Sequence, residues 1–223
     1  MILSGHQPVY LPGIIVMAKI ALSDKFMFVG HCDYQPRSWH SHNFIRGYQT
    51  PIKLSVPVWK GPTINETRPV SDSRWRLKHC ASIELQYKNR PFFNDFYPEI
   101  MNCIMRPADS LSELNIGLMR VLMHQLEIET PTYCSQDFNI HGYKTAMLAD
   151  MCQKMEATDY LSSPGETYVK PEEMNGYAHH FLKFTHPVYE QGYRDFMSGL
   201  SVIDLLFNCG PQSGRIVRQA GNL

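Results

Sequence analysis

No sign of charge dominates this chain: 21 lysines and arginines stand against 21 aspartates and glutamates in 223 residues. A surface built to hold nucleic acid or an anionic membrane shows itself as a basic excess or a basic run, so neither is expected as the main partner. No stretch approaches the roughly 18 apolar residues of a membrane span, and none is expected. The opening MILSGHQPVYLPGIIVMAKIALSDKF has no charged leader, reaches Lys19 after a short apolar run and offers no Ala-x-Ala site, so no signal peptide is expected. The cysteines, Cys32, Cys80, Cys103, Cys134, Cys152 and Cys209, never fall as Cys-x-x-Cys. That spacing excludes a zinc knuckle, a thioredoxin motif and a compact disulfide framework, and reduced thiols in a cytoplasmic protein follow as the expectation. Gly-x-Ser-x-Gly, His-Glu-x-x-His, the P-loop, a carboxylate pair and internal repeats are missing as well. No cofactor is expected.

With 43% hydrophobic and 19% charged residues, the chain has an ordinary globular balance and enough length for one good core. One α/β domain over residues 1–223 is the reading. MILSG reads as a strand, and IIVMAKIALSDKF as a buried helix through Ile14, Met17, Ala18, Ala21 and Leu22. KFMFVGH reads as a second strand. Strand, loop, helix and strand within about 30 residues make a βαβ unit, hence a mainly parallel, Rossmann-like sheet between two helical layers. NFIRGYQTPIKLSVPV predicts an inserted β-ribbon turning at Gly47, with Ile52, Leu54, Val56 and Val58 on one face. Residues 60–74 have no periodicity and read as a surface loop.

Helices are predicted over RWRLKHCASIELQYKNR, with Leu77, Cys80, Ile83 and Tyr87 inward and Pro91 as its stop, and over DSLSELNIGLMRVLMHQLEI, with Asp109 as its cap. TYCSQ, TDYLSS and HHFLKF read as strands, and YKTAMLADMCQKME as a helix. In LSVIDLLFNCGPQSG, Ser201 and Asp204 have capping-box spacing and Gly210 is a stop.

GHQPVYLPG follows the first strand, where open α/β sheets bind ligands. Pro8 and Pro12 stiffen it because proline fixes φ, while His6, Gln7 and Tyr10 are the candidate contacts. HCDYQPRSWHSHNFIR is dense in chemistry. Its His31, Asp33, His40 and His42 alternate as weak candidates for metal ligands, but no third-ligand spacing accompanies them and no metal is expected. Cys209 is set beside Gly210 and Pro211, although a helix C-terminus disfavours the thiolate a nucleophile needs. Asp204 reads as a cap. SSPGETY is a turn of phosphate-cradling type without a phosphate motif, and YEQGY supplies Tyr189 and Gln191 for a sugar-binding wall.

Taken in order, HQPVYLPG, KIALSDKFMF, SWHSHNFI, SVPV, KHCASIELQY with PFF, YLSSPGETY, HPVYEQ and LSVIDLLFNCGP resemble the WbqC-like family from residue 5 to about residue 212. The first and last of these motifs are the specific ones. The family pattern falls on His6, Gln7, Tyr10, Pro12, Lys19, Asp24, Trp39, Asn43, His79, Tyr87, Tyr160, Pro187, Tyr189, Gln191, Ser201, Asp204, Asn208 and Gly210. The chain departs from it where the family shows Asp-Asp and Asn-Arg-Asn, carrying Gly30-His31 and Ser41-His42-Asn43 instead.

The resemblance implies a biosynthetic role, in O-antigen or other polysaccharide clusters or in a specialised-metabolite pathway. The expected activity is acyl or aminoacyl transfer, glycyl included, to an amine or amino sugar. His6 would be the general base, with Asp204 and Cys209 or the histidines at 31 and 42 as its partners. Gln7, Asn43 and Asn208 would hold the acyl oxygen or acceptor, Trp39 and Tyr189 the walls, and Tyr10, Asp24, His79 and Gln191 further substrate contacts. The substrate is a small molecule, carrier- or nucleotide-linked forms included, and a homodimer stays open. Two alternatives stand beside this: a non-catalytic metabolite-binding protein, and a nucleotidyltransferase-like or ATP-dependent ligase enzyme.

Overall fold

The computed structural model describes residues 1–166 and 169–223. Thr167 and Tyr168, the end of the SSPGETY turn, lie outside the described residues. The chain opens with β1 (Ile2–His6), α1 (Ile14–Ala21) and β2 (Lys25–Phe28). Beyond these lie β7 (Thr132–Cys134), β8 (Asp159–Ser162) and β9 (Ala178–Phe181), and the five form a parallel sheet in the order β7-β2-β1-β8-β9. The chain winds outward from β1 to β7, then returns to the other flank of β1 for β8 and β9. Winding therefore reverses between β1 and β8, the position at which open α/β sheets leave a crevice beyond their carboxyl ends.

Strand alternation sorts the core into two faces. Phe26 and Phe28 join the larger cluster, packed by α1, α2 (Arg74–Tyr87), α3 (Phe93–Met105), α4 (Leu111–Gln125), α6 (Ile203–Cys209) and α7 (Ser213–Gln219). Met27, Val29 and Leu3 point the other way, onto Leu148, Met151 and Cys152 of α5 (Thr145–Lys154). This is the three-layer α/β arrangement the alternating pattern implied. The small layer presses closely on β1 at Gly5, where an added Cβ would lie 2.7 Å from Met151 Cε and displace that side-chain tip.

The ribbon is present as β3 (His42–Ile45) paired antiparallel with β4 (Ile52–Ser55). Residues 60–74 are more ordered than expected: β5 (Val58–Trp59) pairs with β6 (Arg68–Pro69), and Ile64 and Thr67 are fully buried. The Thr67 hydroxyl donates to the Thr63 carbonyl at 2.9 Å, which closes that loop on itself. HHFLKF divides into β9 and β10 (Lys183–Phe184), the latter pairing with β11 (Gly221–Asn222). Helix α3 was not expected after the stop at Pro91; Pro98 lies inside it on its exposed side. Leu77 faces solvent while Trp75 and His79 turn inward. Ser110, not Asp109, caps α4, accepting from the Glu113 N–H at 3.0 Å. Val202 precedes α6, and the Asp204 carboxylate turns inward rather than capping. Gly210 ends α6 at φ 57°, the left-handed stop expected of it.

Candidate functional site

His6 ends the middle strand of the sheet, between the ends of β2 and β8. The seven residues after it form a buried loop rather than a polar display: residues 8–12 are covered, and only His6, Gln7 and Gly13 remain partly open. Asn43 Nδ2 donates to the Leu11 and Tyr10 carbonyls at 2.6 and 3.3 Å, holding Leu11 at φ 44°. Asn115 Nδ2 ties the Pro8 carbonyl to that of His40, at 3.1 and 2.8 Å. The Tyr10 hydroxyl meets His79 Nδ1 at 2.8 Å, and the His79 ring also engages the Ser55 backbone. Tyr10, Asn43 and His79 thus anchor the loop from beneath.

The display narrows to His6 and Gln7. His6 Nδ1 lies 2.7 Å from the Gln7 carbonyl, which only accepts, so the proton sits on Nδ1 and the lone pair on Nε2. Burial, then the Lys19 cation, push its pKa down to about 4, so the ring is neutral near pH 7. Lys19 is itself fully buried; its Nζ donates to the Gly5 carbonyl at 2.9 Å and stands 3.6 Å from Glu166 Oε1. Burial works against the Glu166 carboxylate, but Lys19 and His6 outweigh it and hold its pKa below the usual range. Glu166 also accepts from the Ser163 N–H at 3.1 Å. The Gln7 amide oxygen accepts from His40 Nε2 at 2.6 Å, and its amide also hydrogen-bonds the Cys32 thiol.

Two clefts meet at His6. One, of about 310 Å³, is walled by Val9, Ile14, Ile15, Trp39, Phe184 and Leu200, with Ser163 and His186 on its rim. The other, of about 250 Å³, is lined by Gln7, Cys32, Tyr160 and Glu166. The first is apolar and aromatic; the second sets Gln7, Cys32 and Glu166 among Val29, Met147 and Leu148. Trp39, half exposed, is supported from behind by His42 and Phe44 at ring separations of 5.3 and 5.9 Å.

The remaining expected site residues lie elsewhere. Asp204 is fully buried and receives Tyr87 at 3.0 Å and Tyr189 and Gln191 at 2.8 Å each. Burial raises its pKa against the pull of those donors. Since Tyr87 in turn accepts from the Arg46 N–H, the cluster joins β3, α2, α6 and the 189–197 segment. Asn208 donates to the Asp204 carbonyl within α6. Cys209 is half-buried, its thiol pushed up to about 11 by burial and by Asp204. Asp24 accepts from the Ile2 N–H at the amino end of the sheet. The four metal candidates diverge: His31 meets Ser135 at 2.7 Å, Asp33 bridges Thr63, His40 meets Gln7, and His42 stacks on Trp39. Among the described residues, no group of three or more histidine, cysteine, aspartate or glutamate side chains is arranged to hold a metal ion.

Lys19, Glu166 and Cys32 had no role assigned from the sequence, yet they surround His6. Lys19 carried a signal, as the lone charge within the apolar IIVMAKIA. Glu166 had only the SSPGETY turn to mark it.

A model of the WbqC-like protein family matches residues 7–216. A relative from Mycobacterium tuberculosis (strain ATCC 25618 / H37Rv), named uncharacterized protein Rv1507c, is 28% identical over 222 residues, covering 94% of each chain. No solved structure matches.

Proposed function

The chain belongs to the WbqC-like protein family, and from that premise and the geometry around His6 we propose that it is an acyl or aminoacyl transferase, glycyl transfer included. Its acceptor is an amine or amino sugar in polysaccharide or specialised-metabolite biosynthesis. One observation carries this reading: a neutral histidine, whose Nε2 has no hydrogen-bond partner among the described residues, stands where an apolar cleft meets a second cleft that holds Glu166. A transferase must hold a donor and an acceptor against one proton acceptor, and this is such an arrangement.

The acyl group takes the cleft walled by Trp39 and Phe184, and the acceptor amine takes the side of Glu166. As the amine nitrogen attacks the acyl carbon, the C–N bond forms and the bond to the leaving group breaks. His6 Nε2 takes the proton from nitrogen and returns it to the leaving group. Nitrogen in the tetrahedral adduct is far more acidic than a free ammonium, so a base of low pKa suffices. Gln7 and Ser163 supply donors for the acyl oxygen. We assign Asp204, Asn208, Gln191, Tyr189, Tyr10, Asn43 and His79 to the framework that holds the two clefts, and Asp24 to the far end of the sheet. Cys209 is given no covalent role.

Turnover is tested by incubating the purified protein with acyl-thioester donors and amino-sugar acceptors, following product mass alongside thermal shift. Product from the wild type, and about 10²–10⁴-fold less from His6→Ala with unchanged melting, is expected of a general base. Stabilisation by the same compounds with no product supports the metabolite-binding alternative. The reversal of winding beside His6 favours the nucleotidyltransferase-like or ligase alternative, which requires that ATP bind at the β1–β8 crevice.

A further inference from the structure

A further cavity lies outside the His6 clefts. It is a groove of about 660 Å³ at the carboxyl ends of β2 and β7, bounded by α4 and the 106–110 connection. Arg106 and Arg120 both line it, and neither forms an ion pair among the described residues. Both are exposed, with the Arg120 guanidinium 5.7 Å from the Phe28 ring centroid. A third feature is internal. Ser112 is 3% exposed and lines the groove. It stands beside Gly30, where an added Cβ would collide with the tips of Ser112 and Asn65. Glu113 also lines the groove, but its carboxylate is engaged by the Asp109 N–H at 2.8 Å. Cys103 and Cys134 form part of the wall, each within the field of one of the arginines.

We propose that this groove binds the phosphate-bearing part of the donor, its phosphate held by Arg106, Arg120 and the Ser112 hydroxyl. This rests on the transferase reading above and names the donor class: an acyl or aminoacyl group carried on a phosphorylated molecule. Free guanidiniums match phosphate because their donor forks fit its oxygens, and a buried hydroxyl open to a groove supplies a further donor. The placement supports the link to His6. Gly30 packs against Ser112 and Asn65, which line the groove, and Cys32 two residues on lines the cleft that holds Glu166, so the proposal lays one extended donor across this turn.

The test is isothermal titration of wild type, Arg106→Ala/Arg120→Ala and His6→Ala with two probe pairs: coenzyme A against pantetheine, and ADP against adenosine. The account predicts binding of at least one phosphate-bearing member, at least tenfold weaker binding of its phosphate-free partner, and at least tenfold loss in the double arginine variant. His6→Ala retains the binding. Bound ligand also slows alkylation of Cys103 and Cys134 by iodoacetamide. Binding of coenzyme A alone identifies a thioester donor, binding of ADP alone a nucleotide-linked one, and binding of both a site for the shared phosphate. The proposal is overturned if neither phosphate-bearing probe binds, if the phosphate-free partners bind equally well, or if the arginine variant binds as the wild type does. Loss of turnover in His6→Ala bears on the transferase reading separately, because these titrations need no reaction.

Discussion

Lys19 shows how much one residue of this chain contributes. A fully buried ammonium is tolerable because Glu166 and the Gly5 carbonyl face it, and its charge in turn helps keep His6 unprotonated. The two members of the pair are not equivalent. Glu166→Gln leaves a buried cation without its counter-ion, expected to cost about 3–5 kcal/mol. Lys19→Met costs less, because the Glu166 side chain keeps 20% of its surface in water and the Ser163 N–H beside it. Urea melts of the two variants check this, and the opposite ranking would show that the ion pair does not organise the site. His6 and Gln7 were legible as candidates because they stand directly after an apolar strand. Tyr10 and Asn43 have the same polar character in the sequence, but their bonds are to the His79 ring and to backbone carbonyls. Which polar groups face inward depends on partners more than 30 residues away, and local spacing does not record that.

At the scale of elements, the loop after β1 and the start of α6 are held by single buried polar anchors. Tyr10→Phe leaves His79 Nδ1 without its hydrogen-bond partner and is expected to cost about 1–3 kcal/mol. Its turnover per folded molecule should be near wild type if Tyr10 is framework. Asp204→Asn meets three donor groups with an amide that accepts at only one of its two atoms. Lowered melting temperature with retained kcat is the expected outcome; retained melting with lost kcat would return Asp204 to the catalytic machinery. Most helices and all the parallel strands announced themselves by period. Helix α3 did not, yet it accommodates Pro98 on the exposed side while Phe93, Tyr97, Ile100 and Ile104 bury the opposite one. The 60–74 loop was equally opaque: its order comes from hydroxyl-to-backbone bonds such as that of Thr67, which leave no hydrophobic pattern.

Across the described residues, His40 and His79 are buried as neutral rings and His6 is partly buried as one. His6, His40 and His79 are each pushed down to about 4, chiefly by burial, from an ordinary 6.5. Between those values the unfolded chain binds protons that the fold refuses, so stability is complete above about pH 6.5 and is lost as pH falls toward 4. For His40 and His79, at 4% and 6% exposure, the shift corresponds to about 3 kcal/mol apiece. Asp204 acts in the opposite sense: its raised pKa contributes stability below the usual carboxylate value that is lost as pH rises, which softens the acid slope. Urea melts across this range should show falling stability with acid, and a flat profile would contradict the buried neutral rings. The class of fold was legible from the alternation of strands and helices. The order of the sheet was not, because return to the far side of β1 is a long-range choice, and it is this return that sets Glu166 beside His6. The direct test of the account is long-range ¹H–¹⁵N NMR of the His6 ring with and without an amino-sugar acceptor. The account predicts the Nδ1-protonated tautomer, titration near pH 4, and a chemical-shift change at Nε2 when the acceptor binds. A ring protonated at neutral pH, or an Nε2 resonance indifferent to acceptor, would contradict it.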